Sequence, residues 1–211
     1  MKTLDDVLID GKDTALMVID VVNDICANGF RYAQKDWDRK PILEMVHGRL
    51  LPFVQSSRDK LPIVFVRSEY QPREFEDDTY PITDMCLKGT TGAEIYMLNP
   101  ETADHISVKN HWSALLKHPY DEGSPTELHM WFQQRRLSRL IILGLTSTHC
   151  VPCNIEHALQ LSYHVILPRD LVAARGERIE GDNGHKANIK KYEEHNSVLV
   201  VNSSQIKYIR I

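Results

Sequence analysis

Three residues with different chemistry each lie at the end of an apolar run in the sequence. Asp20 closes the run ALMVID, Lys109 closes the weaker run DHISVK, and Cys150 follows RLIILG after the short turn LTSTH. Continuous runs rich in Val, Ile and Leu are typical of parallel strands buried on both faces of a sheet. Because open parallel sheets bind ligands beyond the carboxyl ends of their strands, we expect the three side chains to meet at one rim.

A carboxylate, an ammonium and a thiol together have the chemistry of nucleophilic catalysis. A thiol attacks only as its thiolate, which both Lys109 and the start of a helix near Cys150 would favour. Asp20 can accept the thiol proton and later return it to a leaving group. Each residue alone also fits an ordinary role as a helix cap, a solvated lysine or a small buried cysteine. The prediction of a catalytic site therefore depends on their convergence.

The elements that would position these residues alternate along the chain. Strands are predicted at 15–20, 62–67, 104–109, 139–144, 163–168 and 197–202. Helices are predicted at 42–59, with a bend or break at Pro52, and at 125–137, 151–162 and near 182–194. This alternation is typical of right-handed βαβ units. It predicts a single α/β domain over 1–211, with an open doubly wound sheet of about six mostly parallel strands and helices on both faces.

Composition argues against several functional classes. The chain has 211 residues, a formal net charge of -4 and dispersed Lys and Arg residues, so we expect no nucleic-acid partner. Its apolar runs fall short of the ~20 residues that span a membrane. The N-terminal segment does not resemble a secretory signal, so we expect a cytoplasmic protein. The four cysteines are too few for a disulfide scaffold, and we expect free thiols.

Four segments resemble, in chain order, the motifs of the isochorismatase-like cysteine hydrolases. ALMVIDVVND resembles the family's strand that ends in Asp and leads into a polar-Asn-Asp turn, and KGTTGAEIY resembles its Gly-Thr-x-Gly-Ala segment. SVKNHWSAL resembles its Lys followed by an aromatic residue and Ser-Ala. The segment from LIILGLTSTHCV to VILPRDLVA resembles its Gly-x-x-Thr/Ser-x-x-Cys-Val helix with the strand and turn that follow. The resemblance extends from about residue 13 to 176.

This resemblance implies a catalytic triad of Asp20, Lys109 and Cys150 and a covalent thiol-bound intermediate. It also implies a cis peptide bond between Leu145 and Thr146. In that arrangement the N–H groups of Thr146 and Cys150 point at the substrate carbonyl, as an oxyanion hole. The family includes nicotinamidases, N-carbamoylsarcosine amidase, biuret and ureidoacrylate hydrolases, and isochorismatases, and its members commonly form dimers or tetramers. A homo-oligomer is therefore expected, and the aromatic residues Trp37, Trp131 and Phe132, which we expect to be exposed, add slight support.

Two departures from the family patterns narrow the expected chemistry. Nicotinamidases hold a metal with an Asp-x-His segment and a later His, but the matching segment VRSEYQPREFEDD contains no histidine. We therefore expect no metal site and no other cofactor. Isochorismate-cleaving members lack the nucleophilic cysteine, so its presence favours hydrolysis of a C–N bond in a small amide, carbamoyl or ureido compound. Isochorismatase-type C–O hydrolysis and a non-catalytic binding or interaction role remain as alternatives.

Candidate substrate contacts lie in the irregular stretch 68–92, after Lys109 and after Asp20. They combine charged, amide and aromatic side chains, which suits a small polar substrate with a carboxylate or ureido group. These candidates are Asn23, Glu69, Tyr70, Arg73, His111 and Trp112.

The pair Cys150-Val-Pro-Cys153 allows two further interpretations. A redox pair of this spacing opens a helix near the start of a short βαβ domain, whereas this pair lies after residue 140. A zinc site usually has a second ligand pair at a set spacing, and none is evident. Both interpretations are therefore disfavoured.

Overall fold

The computed structural model describes residues 6–72, 84–116 and 124–209. Its nine strands are β1 Val7–Ile9, β2 Thr14–Ile19, β3 Ile63–Ser68, β4 His105–Lys109, β5 Arg139–Leu145, β6 His164–Pro168, β7 Val172–Ala173, β8 Val198–Val201 and β9 Ile206–Tyr208. Seven of them form one sheet in the order β4-β3-β2-β5-β6-β8, with the short β7 paired to β5. Every neighbouring pair in this sheet is parallel. The predicted α/β fold is confirmed, and all six predicted strands are present.

The helices lie between these strands. They are α1 Asn23–Cys26, α2 Arg31–Gln34, α3 Lys40–Met45, α4 Leu51–Ser57, α5 Glu127–Gln134, α6 Cys150–Gln160 and α7 His185–Glu193. Short 3₁₀ turns cover Thr91–Ala93, Arg169–Leu171, Gly176–Arg178 and Ser203–Gln205. In the three described ranges, none of the helices is long and apolar enough to cross a membrane.

The predicted helix 42–59 is formed by α3 and α4 with a π-helical segment, Val46–Leu50, between them. The segment ends two residues before Pro52, which lies in the first turn of α4. Proline has no N–H and its ring clashes with the preceding turn, so a regular α-helix is disturbed at this point. The expected bend at Pro52 thus takes the form of a local widening of the helix.

The burial of the strands explains why some were easier to predict than others. All six residues of β2 and six of the seven in β5 are buried, so both faces of the central sheet are covered. Strand β4 lies at the edge of the sheet, and its Ile106 and Val108 are about half exposed. Its alternating pattern is the reason that its sequence signal is weaker.

Two features differ from the sequence-based expectations. Strands β1 and β9 form a separate parallel pair that was not predicted, because strands of three residues carry almost no periodic signal. Phe132 was expected to be exposed but is fully buried. Trp37 and Trp131 pack partly buried against the core, where the guanidinium groups of Arg175 and Arg135 cover their rings.

Gly144 brings β5 close to β2 at the rim where the candidate site lies. Its φ is +113°, and a Cβ at this position would lie 2.2 Å from the carbonyl oxygen of Ile19. Ile19 directly precedes Asp20, while Gly144 lies six residues before Cys150. The absence of a side chain at Gly144 therefore allows the strand carrying Asp20 to lie beside the turn that leads to Cys150.

Replacing this glycine should severely destabilise the protein. We expect Gly144→Ala to lower the free energy of unfolding by more than about 3 kcal/mol, because alanine both clashes with backbone and disfavours positive φ. Gly48→Ala is the matched control, since a Cβ there meets nothing within 4 Å. Urea unfolding of both variants measures the difference. Equal stabilities would contradict the close-approach explanation.

Candidate active site

The structure brings Asp20, Lys109 and Cys150 into contact. Asp20 directly follows β2, Lys109 is the last residue of β4, and Cys150 is the first residue of α6. The Lys109 Nζ atom lies 2.9 Å from Asp20 Oδ2 and 3.5 Å from Cys150 Sγ. The Asp20 and Lys109 side chains are only 3% and 2% exposed, respectively. They form a buried ion pair whose cation also reaches the sulfur.

Burial and charge have opposing effects at this site. Burial is the largest single influence on the pKa of Lys109 and acts to lower it, but the charge and hydrogen bond of Asp20, together with the smaller influences of Cys150 and Tyr70, hold that pKa well above its usual value. Burial raises the pKa of the Cys150 thiol, and the Asp20 charge raises it further, although the Lys109 charge opposes both. The resting site therefore contains an ammonium, a carboxylate and a neutral thiol. Attack by Cys150 requires a base, and Asp20 is the adjacent carboxylate.

Ser68 and Tyr70 extend this contact into a hydrogen-bond network. The Ser68 hydroxyl accepts a hydrogen bond from Lys109 Nζ at 2.5 Å and donates one to Asp20 Oδ1 at 2.9 Å. The Tyr70 hydroxyl donates to Ser68 Oγ at 3.0 Å. Sequence reasoning missed Ser68. It ends β3 just as Lys109 ends β4, so the strand-end criterion that selected the triad residues could have found it.

The turn between β5 and α6 leads directly to Cys150. The peptide bond between Leu145 and Thr146 is cis. The Ser147 N–H donates to the Ala173 carbonyl at 2.8 Å and so ties the turn to β7. Within the described ranges, the N–H groups of Thr146 and Cys150 donate to no backbone carbonyl. Both belong to residues for which the family resemblance implies a role in an oxyanion hole.

Asn154 connects the two segments that carry Lys109 and Cys150. Its side chain is completely buried and lies one turn along α6 from Cys150. Its Oδ1 atom accepts a hydrogen bond from the Ala114 N–H at 2.9 Å. Its Nδ2 group donates to the carbonyls of Cys150 and Trp112 at 2.8 and 3.0 Å. No chemical pattern in the sequence singled out this residue, because a lone helical Asn is usually solvent-exposed.

Two substrate candidates, Trp112 and Tyr70, contact residues of the site through their side chains. The Trp112 ring centroid lies 5.9 Å from that of His149, the residue directly before Cys150. Tyr70 is buried, and its hydroxyl donates to Ser68, which contacts both Asp20 and Lys109. The His111 ring centroid lies 5.8 Å from that of Trp112.

The side chains of two other substrate candidates, Glu69 and Asn23, have partners away from the triad residues. Glu69 forms an ion pair with Arg67 at 2.6 Å, and its backbone N–H donates to the Lys109 carbonyl. The Asn23 side chain donates to the Thr91 carbonyl at 2.8 Å, which fastens α1 to the Gly-Thr-x-Gly-Ala segment. Arg73 lies outside the described residues.

The remaining cysteines do not join a metal or disulfide site in the described part of the chain. All four thiols are free, with Cys26 and Cys86 buried and Cys153 half-buried beside Cys150 on the first turns of α6. Residues 6–72, 84–116 and 124–209 contain no group of three His, Cys, Asp or Glu side chains that could hold a metal ion.

Comparison with known proteins gives consistent matches along most of the chain. A model of the isochorismatase domain matches residues 14–204. A probable inactive nicotinamidase from Arabidopsis thaliana is 29% identical, with 84% of this chain and 87% of that protein covered. A nicotinamidase from Escherichia coli K12 is 26% identical, with 81% and 87% covered. The crystal structure of N-carbamoylsarcosine amidase from Thermoplasma acidophilum has a TM-score of 0.70 at 24% identity, covers 92% of this chain and 99% of its own, and has the same fold.

His149 should remain neutral where most histidines titrate. Burial, assisted by the charges of Arg178 and Arg175, lowers its pKa to about 4. Between about pH 6.5 and 4, the His149 ring is therefore more protonated in the unfolded chain than in the folded protein. The stability that the neutral ring gives the folded protein above about pH 6.5 is consequently lost as the pH falls toward 4. We expect NMR titration to give a ring pKa below 5, and His149→Gln to flatten the fall in urea-unfolding stability between pH 7 and 5. A ring that titrates near 6.5 would contradict this account.

Proposed function

The chain belongs to the isochorismatase family, and we propose that it is a cysteine-dependent hydrolase that cleaves a C–N bond in a small amide, carbamoyl or ureido compound. The observation that carries this proposal is the contact of the buried Lys109–Asp20 ion pair with Cys150 Sγ. The match to an E. coli nicotinamidase supports amide hydrolysis as the reaction class. We rank nicotinamide below the other candidate substrates, because the segment 66–78 has no histidine of the kind with which nicotinamidases hold their metal.

The first half of the reaction forms a covalent intermediate. The Cys150 sulfur attacks the substrate carbon while the thiol proton moves to the Asp20 carboxylate, and a C–S bond forms as the carbonyl π bond breaks. The resulting oxyanion is stabilised by the N–H groups of Thr146 and Cys150. When the oxyanion collapses, the C–N bond breaks and the nitrogen leaves with the proton from Asp20. A thioester, or a thiocarbamate from a ureido substrate, remains on Cys150.

The second half releases the product with a water molecule. Asp20, ionised again, takes a proton from water as the water oxygen attacks the thiol-bound carbon. The C–S bond then breaks, and the sulfur recovers its proton from Asp20. Lys109 keeps its proton throughout and offsets the negative charge that moves between sulfur and carboxylate.

We further propose that the protein acts in the cytoplasm as a homo-oligomer. The family resemblance supports the dimer or tetramer. The half-exposed Ile106 and Val108 on the edge strand β4 offer apolar surface for a subunit contact in place of the aromatic residues expected from the sequence.

An ammonia-release screen over small amides, ureas and carbamoyl compounds tests the proposal. We expect at least one compound to release ammonia with the wild-type protein. Cys150→Ser should lower that turnover by at least about 10³-fold, because serine is a far weaker nucleophile at this site. Cys153→Ser is the matched control, since it removes a thiol from the same helix and should retain turnover.

Two outcomes would contradict the proposal. Turnover that persists in Cys150→Ser would exclude this residue as nucleophile. Silence of the wild-type protein across the whole panel would instead favour C–O hydrolysis or a non-catalytic role, the second in keeping with the probable inactive relative in Arabidopsis thaliana.

A further inference from the structure

The Ser68 hydroxyl has every one of its hydrogen-bonding positions filled within the site. A hydroxyl can donate one hydrogen bond and accept two. The Asp20 carboxylate only accepts, so the Ser68 hydrogen points to Asp20 Oδ1 at 2.9 Å. The Lys109 ammonium only donates, and it supplies one of the two bonds that Ser68 Oγ accepts. Because the single Ser68 hydrogen is already used, the Tyr70 hydroxyl must be the donor in the third bond.

The Lys109 ammonium is equally saturated. Its three N–H donors have three acceptors, namely Asp20 Oδ2 at 2.9 Å, Ser68 Oγ at 2.5 Å and Cys150 Sγ at 3.5 Å. An ammonium with two N–H groups fixed by oxygen acceptors cannot rotate about its Cε–Nζ bond. The direction of the third N–H is then determined, and it points to the sulfur.

Both ends of this arrangement are buried. Ser68 is 2% exposed and Tyr70 is 7% exposed. Water therefore has little access to replace either hydroxyl, and a lost bond leaves a buried charged group with an unmet hydrogen-bonding position. The bond from Tyr70 fills the second acceptor position of Ser68 and leaves its single hydrogen for Asp20.

We propose that Ser68, oriented by Tyr70, is a positioning residue that aims the Lys109 ammonium at the Cys150 sulfur and stabilises the carboxylate of Asp20. This inference rests on the proposed function, because it concerns the same thiol chemistry. Neither residue contacts the reacting carbon in this role. Their effect reaches Cys150 through Lys109 and Asp20.

The rate of Cys150 alkylation by iodoacetamide tests the inference without a known substrate. The rate is measured against pH by intact mass, in a Cys153→Ser background so that Cys150 is the only partly exposed thiol. We expect Ser68→Ala to displace the rise of the alkylation rate with pH upward by about one pH unit, which slows alkylation about tenfold at neutral pH. A misdirected ammonium stabilises the thiolate less. Ser68→Thr, which keeps a hydroxyl, should restore most of the rate, and Tyr70→Phe should give a smaller shift in the same direction.

The chain supplies a control in a second serine–tyrosine pair, formed by the buried Ser57 and the partly buried Tyr208. Ser57 Oγ lies 2.5 Å from the Tyr208 hydroxyl at the contact of α4 with β9. Ser57→Ala removes the same chemical group, so it should lower stability and leave the alkylation profile unchanged.

The outcomes separate the inference from the proposed function. A wild-type alkylation profile in both Ser68→Ala and Tyr70→Phe would overturn the inference, as would an equal shift in Ser57→Ala. Failure of the proposed function is seen in a different measurement. In that case Cys150→Ser would keep its substrate turnover, independently of the alkylation profiles of the Ser68 variants. Recovery by Ser68→Thr together with an unchanged Ser57→Ala would support the positioning role.

Discussion

The buried ion pair between Lys109 and Asp20 is the interaction on which the rest of the site depends. Both side chains are almost fully removed from solvent, and their atoms are 2.9 Å apart. A single buried charge without a partner is expensive, and removing one member of a buried pair costs about 3–5 kcal/mol. The backbone must therefore hold the two charged groups close together. Three parallel strands, the close approach at Gly144 and the hydrogen bonds of Asn154 do so here.

The pair also determines how the thiol would react. Burial keeps Cys150 protonated, while Lys109 supplies positive charge at the point where negative charge would develop. In the proposed mechanism, proton transfer to Asp20 and attack by the sulfur occur in one step, so no exposed thiolate is needed between turnovers. A neutral His149 is consistent with this arrangement, because it leaves Lys109 as the cation in contact with the sulfur.

The sequence predicted the fold and the three converging residues because both follow from strand periodicity and the strand-end rule for parallel sheets. It did not predict Ser68, whose single hydroxyl has no distinctive chemistry until its three partners surround it. Asn154 was missed for a similar reason, since its importance lies in tertiary hydrogen bonds. Tyr70 was selected for the substrate pocket, whereas its hydroxyl is directed at the triad. Short elements such as β1 and β9 exist only through pairing between distant parts of the chain.

Acid-quenched peptide mass spectrometry during turnover tests the central claim most directly. With a substrate that releases ammonia, samples quenched within milliseconds to seconds are digested and the peptide containing Cys150 is weighed. The account predicts an acyl or carbamoyl adduct on Cys150 that appears with substrate, disappears when substrate is exhausted and is absent from Cys150→Ser. Sustained turnover with the Cys150 peptide at its unmodified mass at every time point would contradict it.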